Sequence, residues 1–498
     1  MKSRRFQRFL EIIPGALTWV SLIAPIILSF FAPAIVAVFV IVFDLHWLYK
    51  ATIMGVHLVV GYRRLRHDTH VDWMAKVEST KPDNLIADWK KIYHAMILTT
   101  YQEELDILRP SVQAVVDSSY PRKKVILVLA TEERDKERAR RCAKTLKEEF
   151  KDKFFAFLVT EHPDDIVGEV KAKGANATWA AKKLRKFLDE KKIAYEDVIV
   201  STADADTRIS HQYLSCLTFK YITNTNRLRR SFQPIPIYSN NIWDAPAICR
   251  IIAFGNSFWQ IIEATRPWRL INFSTHAMSM RTLVDINYWS VNVVNEDSRQ
   301  FWRAYFKFDG DHEVEPIFVP VHMDAVLADS YWLTIKNQYL QKKRWAYGVE
   351  HFPYVITQSI ENKSINFWNK ITKIWRLVEG NYSWATASIF IGVISWLPLT
   401  FGTAFKNTVL AANMPIVIRY LLGLTWFGIV VSVIISTLLL PPRPPKYRRH
   451  KHIEMVIQWI LIPIQAILFG SFPAIDAQTK LMLGKYMTFR VTQKAAKK

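Results

Sequence analysis

The chain has 498 residues, of which 66 are Lys or Arg and 44 are Asp or Glu, so the formal net charge is +22. Half of the residues are apolar, with 18 Trp and 29 Phe, and this aromatic content excludes a disordered basic protein. The three cysteines, Cys142, Cys216 and Cys249, have no CxxC spacing, which argues against a disulfide framework or a structural zinc site and favours a reducing compartment.

Two apolar runs near the N-terminus predict a transmembrane hairpin over residues 1–66, followed by a linker over 67–90. Residues 12–31 carry no charge and are long enough to cross a bilayer, which takes about 20 residues. The second run, 33–61, contains Asp44, which is either a functional intramembrane charge or a residue near a helix end. A signal peptide is the alternative reading of the basic start, but no small-residue cleavage site follows.

Three more apolar runs predict C-terminal transmembrane helices over 384–475, followed by a basic tail over 476–498. Five full crossings would place this basic tail outside, whereas Pro463 and Pro473 could break the last run so that it does not simply cross. The sequence leaves the number of crossings open.

Basic clusters flank these spans, and under the positive-inside rule they place residues 62–380 in the cytoplasm. We therefore expect a multi-pass protein of the plasma or inner membrane. Lys and Arg next to membrane spans also account for much of the net charge. A nucleic-acid-binding role is disfavoured, because no basic stripe on a recognised fold is present.

Between residues 91 and 355, short apolar runs alternate with polar helical stretches, which predicts a parallel sheet with ligands at the carboxyl ends of its strands. One such end carries Asp204 and Asp206. Such a pair can direct one carboxylate to a sugar and the other to a hard divalent cation such as Mg²⁺. The alternative is a loop that merely contains two acids.

Two later strings also carry chemistry. Asp297, next to Glu296, is either a general base for an attacking hydroxyl or one half of an ordinary acidic helix start. Gln341, Arg344 and Trp345 combine an amide, a guanidinium suited to a diphosphate and an indole suited to a sugar ring. The alternative for this string is a membrane-proximal helix whose Trp reaches the interface.

In this order the strings resemble the membrane-integrated family 2 glycosyltransferases, which include cellulose, hyaluronan, chitin and glucomannan synthases. Thr100-Tyr101-Gln102-Glu103 resembles the family's first strand end, and Lys173-Gly174-Ala175-Asn176 resembles its Lys/Gly/Asn segment. With the DxD, ED and QxxRW strings, the resemblance covers nearly the whole chain.

The resemblance implies an α/β GT-A (Rossmann-like) cytoplasmic domain over 91–355, an amphipathic interface helix over 356–383 and an α-helical transmembrane region. It implies that Asp297 is the base and that Asp206 with Asp204 holds Mg²⁺ or Mn²⁺. Donor-binding residues would be Thr100, Tyr101, Glu103, Glu132, Lys173, Asp204, Asp206, Gln341 and Arg344. Acceptor-binding residues would be Trp345, Glu296 and His276.

The implied reaction is an inverting transfer from a UDP- or GDP-hexose to a growing polysaccharide, coupled to its passage across the membrane. Partners would be the donor, a glycan or lipid acceptor, the bilayer and a further chain for regulation or export. A non-processive enzyme that makes a glycolipid is the main alternative. A transporter or an inactive scaffold is the alternative from another class.

The chain departs from the family pattern at two sites. The second strand ends in Thr131-Glu132-Glu133 where the family has a double Asp, so Glu132 is our choice for the acid that contacts the base. The acceptor string is replaced by Phe273-Ser274-Thr275-His276-Ala277-Met278, in which His276 either touches a substrate or packs in the core.

Two stretches have the spacing of helices that lie on a membrane surface. In 364–378 apolar residues recur at helical spacing opposite basic residues, which we expect to face lipid headgroups. The stretch 246–262 has a similar but less clear pattern.

Overall fold

The computed structural model describes residues 4–81, 84–401 and 405–487. Lys2 of the first basic cluster and residues 488–498 of the predicted tail lie outside this range. An α/β domain and a set of long apolar helices make up the described chain, which confirms the predicted fold class.

The N-terminal and α/β parts contain the following elements: α1 Arg4–Phe31, α2 Pro33–His70, α3 Trp73–Ser79, β1 Tyr93–Thr99, α4 Leu105–Val116, β2 Val125–Glu132, α5 Lys136–Phe150, β3 Ala156–His162, α6 Lys173–Lys191, β4 Val198–Asp204, β5 Arg208–Ile209, α7 Tyr213–Thr223, β6 Arg230–Ile237, α8 Ala247–Ala264, β7 His276–Ser279, α9 Met280–Asp285, α10 Glu296–Lys307 and β8 Glu313–His322. The C-terminal part contains α11 Tyr331–Ala346, α12 His351–Glu361, α13 Phe367–Gly392, α14 Leu397–Phe401, α15 Val409–Leu438, α16 Lys451–Ile457, α17 Ile462–Gln465 and α18 Phe472–Met482.

The strands form one eight-stranded sheet in the order β3-β2-β1-β4-β7-β6-β8-β5. Strands β3, β2, β1 and β4 are parallel, whereas β7 runs antiparallel to both of its neighbours. Helices cover both faces, so β1 and β2 are almost entirely buried, as expected for parallel strands. The strand order reverses between β1 and β4, where open α/β sheets bind their ligands.

Within the described residues, four helical segments are long and apolar enough to cross a membrane: α1, α2, α15 and the broken helix Lys451–Met482. The pair formed by α13 and the segment after Gly392 is a fifth candidate, bent by 40° at the break. Helices α2 and α15 pack along each other, since Val36 and Ala37 share an apolar cluster with Met414 and Leu58 shares another with Ile435.

Helix α3, within the predicted linker 67–90, is packed against the domain. Trp73 and Val77 of α3 are buried in the main core, and the Trp73 indole donates a hydrogen bond to the Asp68 carbonyl at 2.8 Å. These side chains pack beside α7, where the ring centroids of Trp73 and Phe219 are 5.4 Å apart.

The two stretches with the spacing of surface-lying helices form α8 and the first half of α13. Helix α8 is buried between the sheet and α2, and a Cβ on Gly61 would lie only 2.5 Å from Ile261 Cγ2. The first half of α13 does expose apolar side chains, with Trp368 71% and Trp375 66% exposed. Its basic residue Lys373, however, donates to the Trp268 carbonyl of the α/β domain at 2.9 Å and does not point away toward headgroups.

Candidate functional site

A cleft opens at the carboxyl ends of β1, β2 and β4, where Thr99 and Asp204 are paired in register. It is closed on the other side by the start of α10 and the end of α11. The cleft brings together all of the predicted site residues except His276: Thr100, Tyr101, Glu103, Glu132, Lys173, Asp204, Asp206, Glu296, Asp297, Gln341, Arg344 and Trp345.

The loop after β1 is held in place by hydrogen bonds to Glu103, one of its own residues. The Glu103 carboxylate accepts hydrogen bonds from the Thr100 hydroxyl at 2.9 Å and from the Tyr101 backbone N–H at 2.7 Å. The Tyr101 ring carries the Arg134 guanidinium 3.7 Å above its centre, and Arg134 pairs with Glu132. An aromatic ring, a cation and a carboxylate therefore form one wall of the cleft.

The largely buried Lys173 forms an ion pair with the partly exposed Asp204, with 2.9 Å between Nζ and Oδ1. Burial by itself would lower the pKa of Lys173, but the charges of Asp204, Glu296 and Asp297 raise that pKa above its ordinary value. Lys173 is therefore a permanent cation among the acids of the cleft.

Gly174 allows the first turn of α6 to approach α10. A Cβ at this position would lie 2.5 Å from the Ser290 carbonyl oxygen and 2.8 Å from Glu296 Cβ, closer than real Cβ contacts. The close approach sets Lys173 next to the acidic start of α10.

Asp297 lies in the first turn of α10, where backbone N–H groups favour a negative charge. Its Oδ1 accepts the Ser298 N–H at 2.7 Å and its Oδ2 accepts the Ser274 N–H at 2.7 Å. The carboxylate is thus held in one orientation with lone pairs left for a further proton donor.

Ser274 links the two acids and was not singled out by the sequence. Besides its N–H bond to Asp297, its hydroxyl donates to Asp204 Oδ2 at 2.8 Å. Its φ of 46° lies in the left-handed region, which is uncommon for a residue other than glycine and clusters at functional sites. The only signal in the sequence was that the string around it departs from the family pattern.

Glu296 is buried beside Asp297. Burial raises the pKa of Glu296 to about 8, helped by the charge of Asp297 and opposed by Lys173. Glu296 therefore holds its proton near neutral pH.

His276 is a core residue, which corrects its prediction as an acceptor-binding residue. It is 1% exposed and does not line the cleft. Its Nε2 accepts the Trp289 indole N–H at 3.1 Å, so Nδ1 carries the proton and donates to the Ser274 carbonyl at 3.1 Å. Burial lowers the pKa of His276 to about 3, so the ring is neutral and supports the backbone of Ser274 from behind.

Asp206 is buried at the floor of the cleft, and its Oδ2 accepts the Asp324 backbone N–H at 3.1 Å. Asp324 also lines the cleft and was missed by the sequence analysis. Among the described residues, no three His, Cys, Asp or Glu side chains are grouped to hold a metal by themselves. Asp204 and Asp206 fit a hard cation that keeps oxygen ligands from a bound phosphate, which is how Mg²⁺ is usually held.

Gln341, Arg344 and Trp345 reach the cleft from the last turns of α11. The Asn295 side chain donates to the Arg344 carbonyl at 3.1 Å, which ties the start of α10 to the end of α11. The ring of Phe273, another residue missed by the sequence analysis, meets Trp345 edge-on with centroids 5.9 Å apart. The base candidate and the aromatic residue are thereby fixed relative to each other.

No protein-family model and no curated protein matches the chain. Among solved structures, it is similar to the mannosyltransferase PcManGT from Pyrobaculum calidifontis in complex with GDP-Man and Mn²⁺, with 12% identity, a TM-score of 0.41, and coverage of 80% of this chain and 99% of that one. It is also similar to residues 1–349 of TarS from S. aureus in complex with UDP-GlcNAc, with 11% identity, a TM-score of 0.36, and coverage of 79% and 93%. At these identities and TM-scores the likeness fixes neither a reaction nor a substrate for this chain.

Proposed function

We propose that this protein is an inverting, metal-dependent hexosyltransferase that uses a UDP- or GDP-hexose to extend a polysaccharide. The observation that carries this proposal is the single cleft in which Asp204, Asp206 and Asp297 meet Arg344 and Trp345. A base, two carboxylates for a cation and a guanidinium for the leaving diphosphate are what such a displacement requires.

The donor nucleotide binds along the wall formed by Tyr101 and Glu132, with the carboxylate accepting N–H groups of the base. Its diphosphate lies between Arg344 and the acids that follow β4. Asp206 and Asp204 would hold Mg²⁺ or Mn²⁺, and the cation, when bound, would neutralise part of the diphosphate charge. The ion pair with Lys173 keeps Asp204 oriented toward the donor sugar.

Asp297 acts as the general base. It takes the proton of the acceptor hydroxyl as that oxygen bonds to the anomeric carbon and the bond to the nucleoside diphosphate breaks. A single displacement from the opposite face inverts the anomeric configuration. The N–H groups of Ser274 and Ser298 keep the carboxylate aimed, and they cost no reorganisation during the reaction.

The acceptor approaches on the side of Trp345, whose indole suits the apolar face of a sugar. This side faces the membrane helices. Trp384 of α13 packs against an apolar cluster in which Ala346, at the end of α11, meets Ala474 of α18. Such a connection favours an acceptor that leaves the cleft toward the bilayer, and therefore a polymer that is extended and exported. The flanking basic residues favour a cytoplasmic position for the α/β domain.

The test is release of nucleoside diphosphate by the full-length protein in nanodiscs, with Mg²⁺ or Mn²⁺ and a panel of UDP- and GDP-sugars. We expect release from one donor, abolished by a chelator and reduced at least about 100-fold in Asp297→Asn. Asp329→Asn removes an exposed carboxylate from the loop before α11 and is the matched control.

Sizing the product distinguishes a polymer from a singly glycosylated lipid. No release from any donor, with glycan and lipid primers supplied, would overturn the proposal. Full activity of Asp297→Asn would overturn the assignment of the base.

A further inference from the structure

Lys342 lies on α11 between the cleft and the membrane helices. Its ammonium is 5.4 Å from the ring centre of Trp345, which lines the cleft, and 4.7 Å from that of Trp384 on α13. The two indoles and the ammonium therefore lie next to one another between the cleft and the membrane helices.

No carboxylate within the described part of the chain pairs with this lysine. Across residues 4–81, 84–401 and 405–487, its Nζ makes neither a hydrogen bond nor an ion pair. The residue is only 9% exposed, so water does not fully replace the missing partner. Two other lysines with little exposure to solvent are paired, Lys173 with Asp204 and Lys343 with Asp476.

Burying a cation is unfavourable unless an opposite charge compensates it. The two indole faces compensate only in part. This cost is reflected in the pKa of Lys342, which burial lowers to about 8. A cation held in this way beside a substrate cleft is suited to an anionic ligand.

We propose that Lys342, with Trp345 and Trp384, binds an oxyanion carried by the acceptor, either a lipid phosphate or the carboxylate of an acidic sugar. The inference rests on the proposed function and adds the chemical class of the acceptor. The indoles stack on sugar rings while the ammonium pairs with the oxyanion.

The remaining charges in the cleft support this placement. Two cations also line the cleft, but Lys173 is paired with Asp204 and Arg344 is assigned to the donor diphosphate. The charges left around the transfer site are the carboxylates of Asp206, Asp297 and Asp324, which disfavour a further anionic group there. The oxyanion is accommodated behind Trp345, away from these carboxylates, and the attacking hydroxyl is left next to Asp297.

The experiment compares three acceptors built on one alkyl glycoside: neutral, phosphate-bearing and uronic-acid-bearing. With the wild-type protein in nanodiscs, we expect at least one anionic acceptor to have a KM about tenfold or more below that of the neutral one. Which of the two is preferred identifies the source of the oxyanion.

In Lys342→Gln this advantage is expected to disappear, with KM for the anionic acceptor raised about tenfold and KM for the donor unchanged. Lys342→Arg keeps the charge and should restore the preference, which separates charge recognition from a folding defect. Lys336→Gln removes an exposed charge from the same helix and should behave as the wild type.

Equal use of neutral and anionic acceptors by the wild type, or an unchanged preference in Lys342→Gln, would overturn the inference while donor turnover left the proposed function intact. Absence of nucleoside diphosphate release from every donor would instead overturn the proposed function, and this inference with it.

Discussion

Ser274 offers the sharpest test of the site, because one residue contacts both Asp204 and Asp297 through different atoms. Ser274→Ala removes the hydroxyl that donates to Asp204 Oδ2 at 2.8 Å and keeps the N–H that donates to Asp297. A hydrogen bond to a charged group contributes about 1.5–3 kcal/mol. If it is made fully in the transition state, kcat/KM for the donor falls about 10- to 150-fold.

Ser274→Gly separates this effect from backbone strain. It removes the same hydroxyl but relieves the cost of a side chain at a φ of 46°, so it should be more stable than Ser274→Ala by about 1 kcal/mol. The two variants should therefore lose similar activity and differ in thermal stability.

The assay is nucleoside diphosphate release against donor concentration, with melting temperatures measured on the same preparations. Ser79→Ala, an exposed serine far from the cleft, is the control for mutation and handling. Activity of Ser274→Ala within about twofold of the wild type would refute the role of the hydroxyl. A lower melting temperature for Ser274→Gly than for Ser274→Ala would refute the argument from strain.

Two further predictions concern the start of α10. Glu296 has a folded-state pKa of about 8, above its ordinary 4.5, so its contribution to stability is complete below pH 4.5 and is lost as pH rises through 8. Glu296→Gln has no proton to lose, so its melting temperature should fall less than that of the wild type between pH 6 and 9; parallel curves would contradict the assignment. In Gly174→Ala the added Cβ meets the Ser290 carbonyl, and an overpacking cost of about 1–3 kcal/mol should lower the melting temperature and raise KM for the donor. An unchanged melting temperature together with an unchanged KM for the donor would show that α6 and α10 are not in tight contact at this position.

The sheet and most of the cleft could be predicted because their signals are local. The strands β1, β2 and β4 are short buried apolar runs, and the residues that follow them meet at one edge whatever the rest of the fold does. Asp204 is the last residue of β4, Asp206 lies two residues beyond it, and Asp297 lies in the first turn of α10. Their positions could therefore be predicted from the local sequence.

The residues that were missed depend on contacts between distant segments. Ser274 acquires its role from a left-handed backbone and from two acids 70 and 23 residues away. Helix α8 has apolar residues over much of its surface, a pattern that does not distinguish a helix on a membrane from one buried between two layers. The burial of His276 likewise depends on a contact with another segment, because its ring accepts the indole N–H of Trp289.

The last apolar run bears on the question of the number of crossings that the sequence left open. At its start, the Tyr447 hydroxyl donates to Asp244 of the α/β domain at 2.5 Å. At its end, Arg8, which lies in α1 before its uncharged run 12–31, donates to the carbonyls of Leu481 and Met482 at 3.1 and 2.8 Å. Both ends thus contact residues that we assign to the cytoplasmic side, so we predict that Lys451–Met482 enters the membrane surface without crossing it.

Labelling of single cysteines with a membrane-impermeant maleimide tests this topology in sealed vesicles of both orientations. The native cysteines are buried, which keeps background labelling low. We expect Ala496→Cys to be labelled on the same side as Lys2→Cys, and Ala32→Cys, between α1 and α2, on the opposite side. This pattern corresponds to four crossings, by α1, α2, the bent helix that begins with α13, and α15, and it leaves the C-terminal helices beneath α11, where Asp476 pairs with Lys343. Labelling of positions 496 and 32 on the same side would require a fifth crossing, and the contacts at one end of the run would then have to be absent in the membrane.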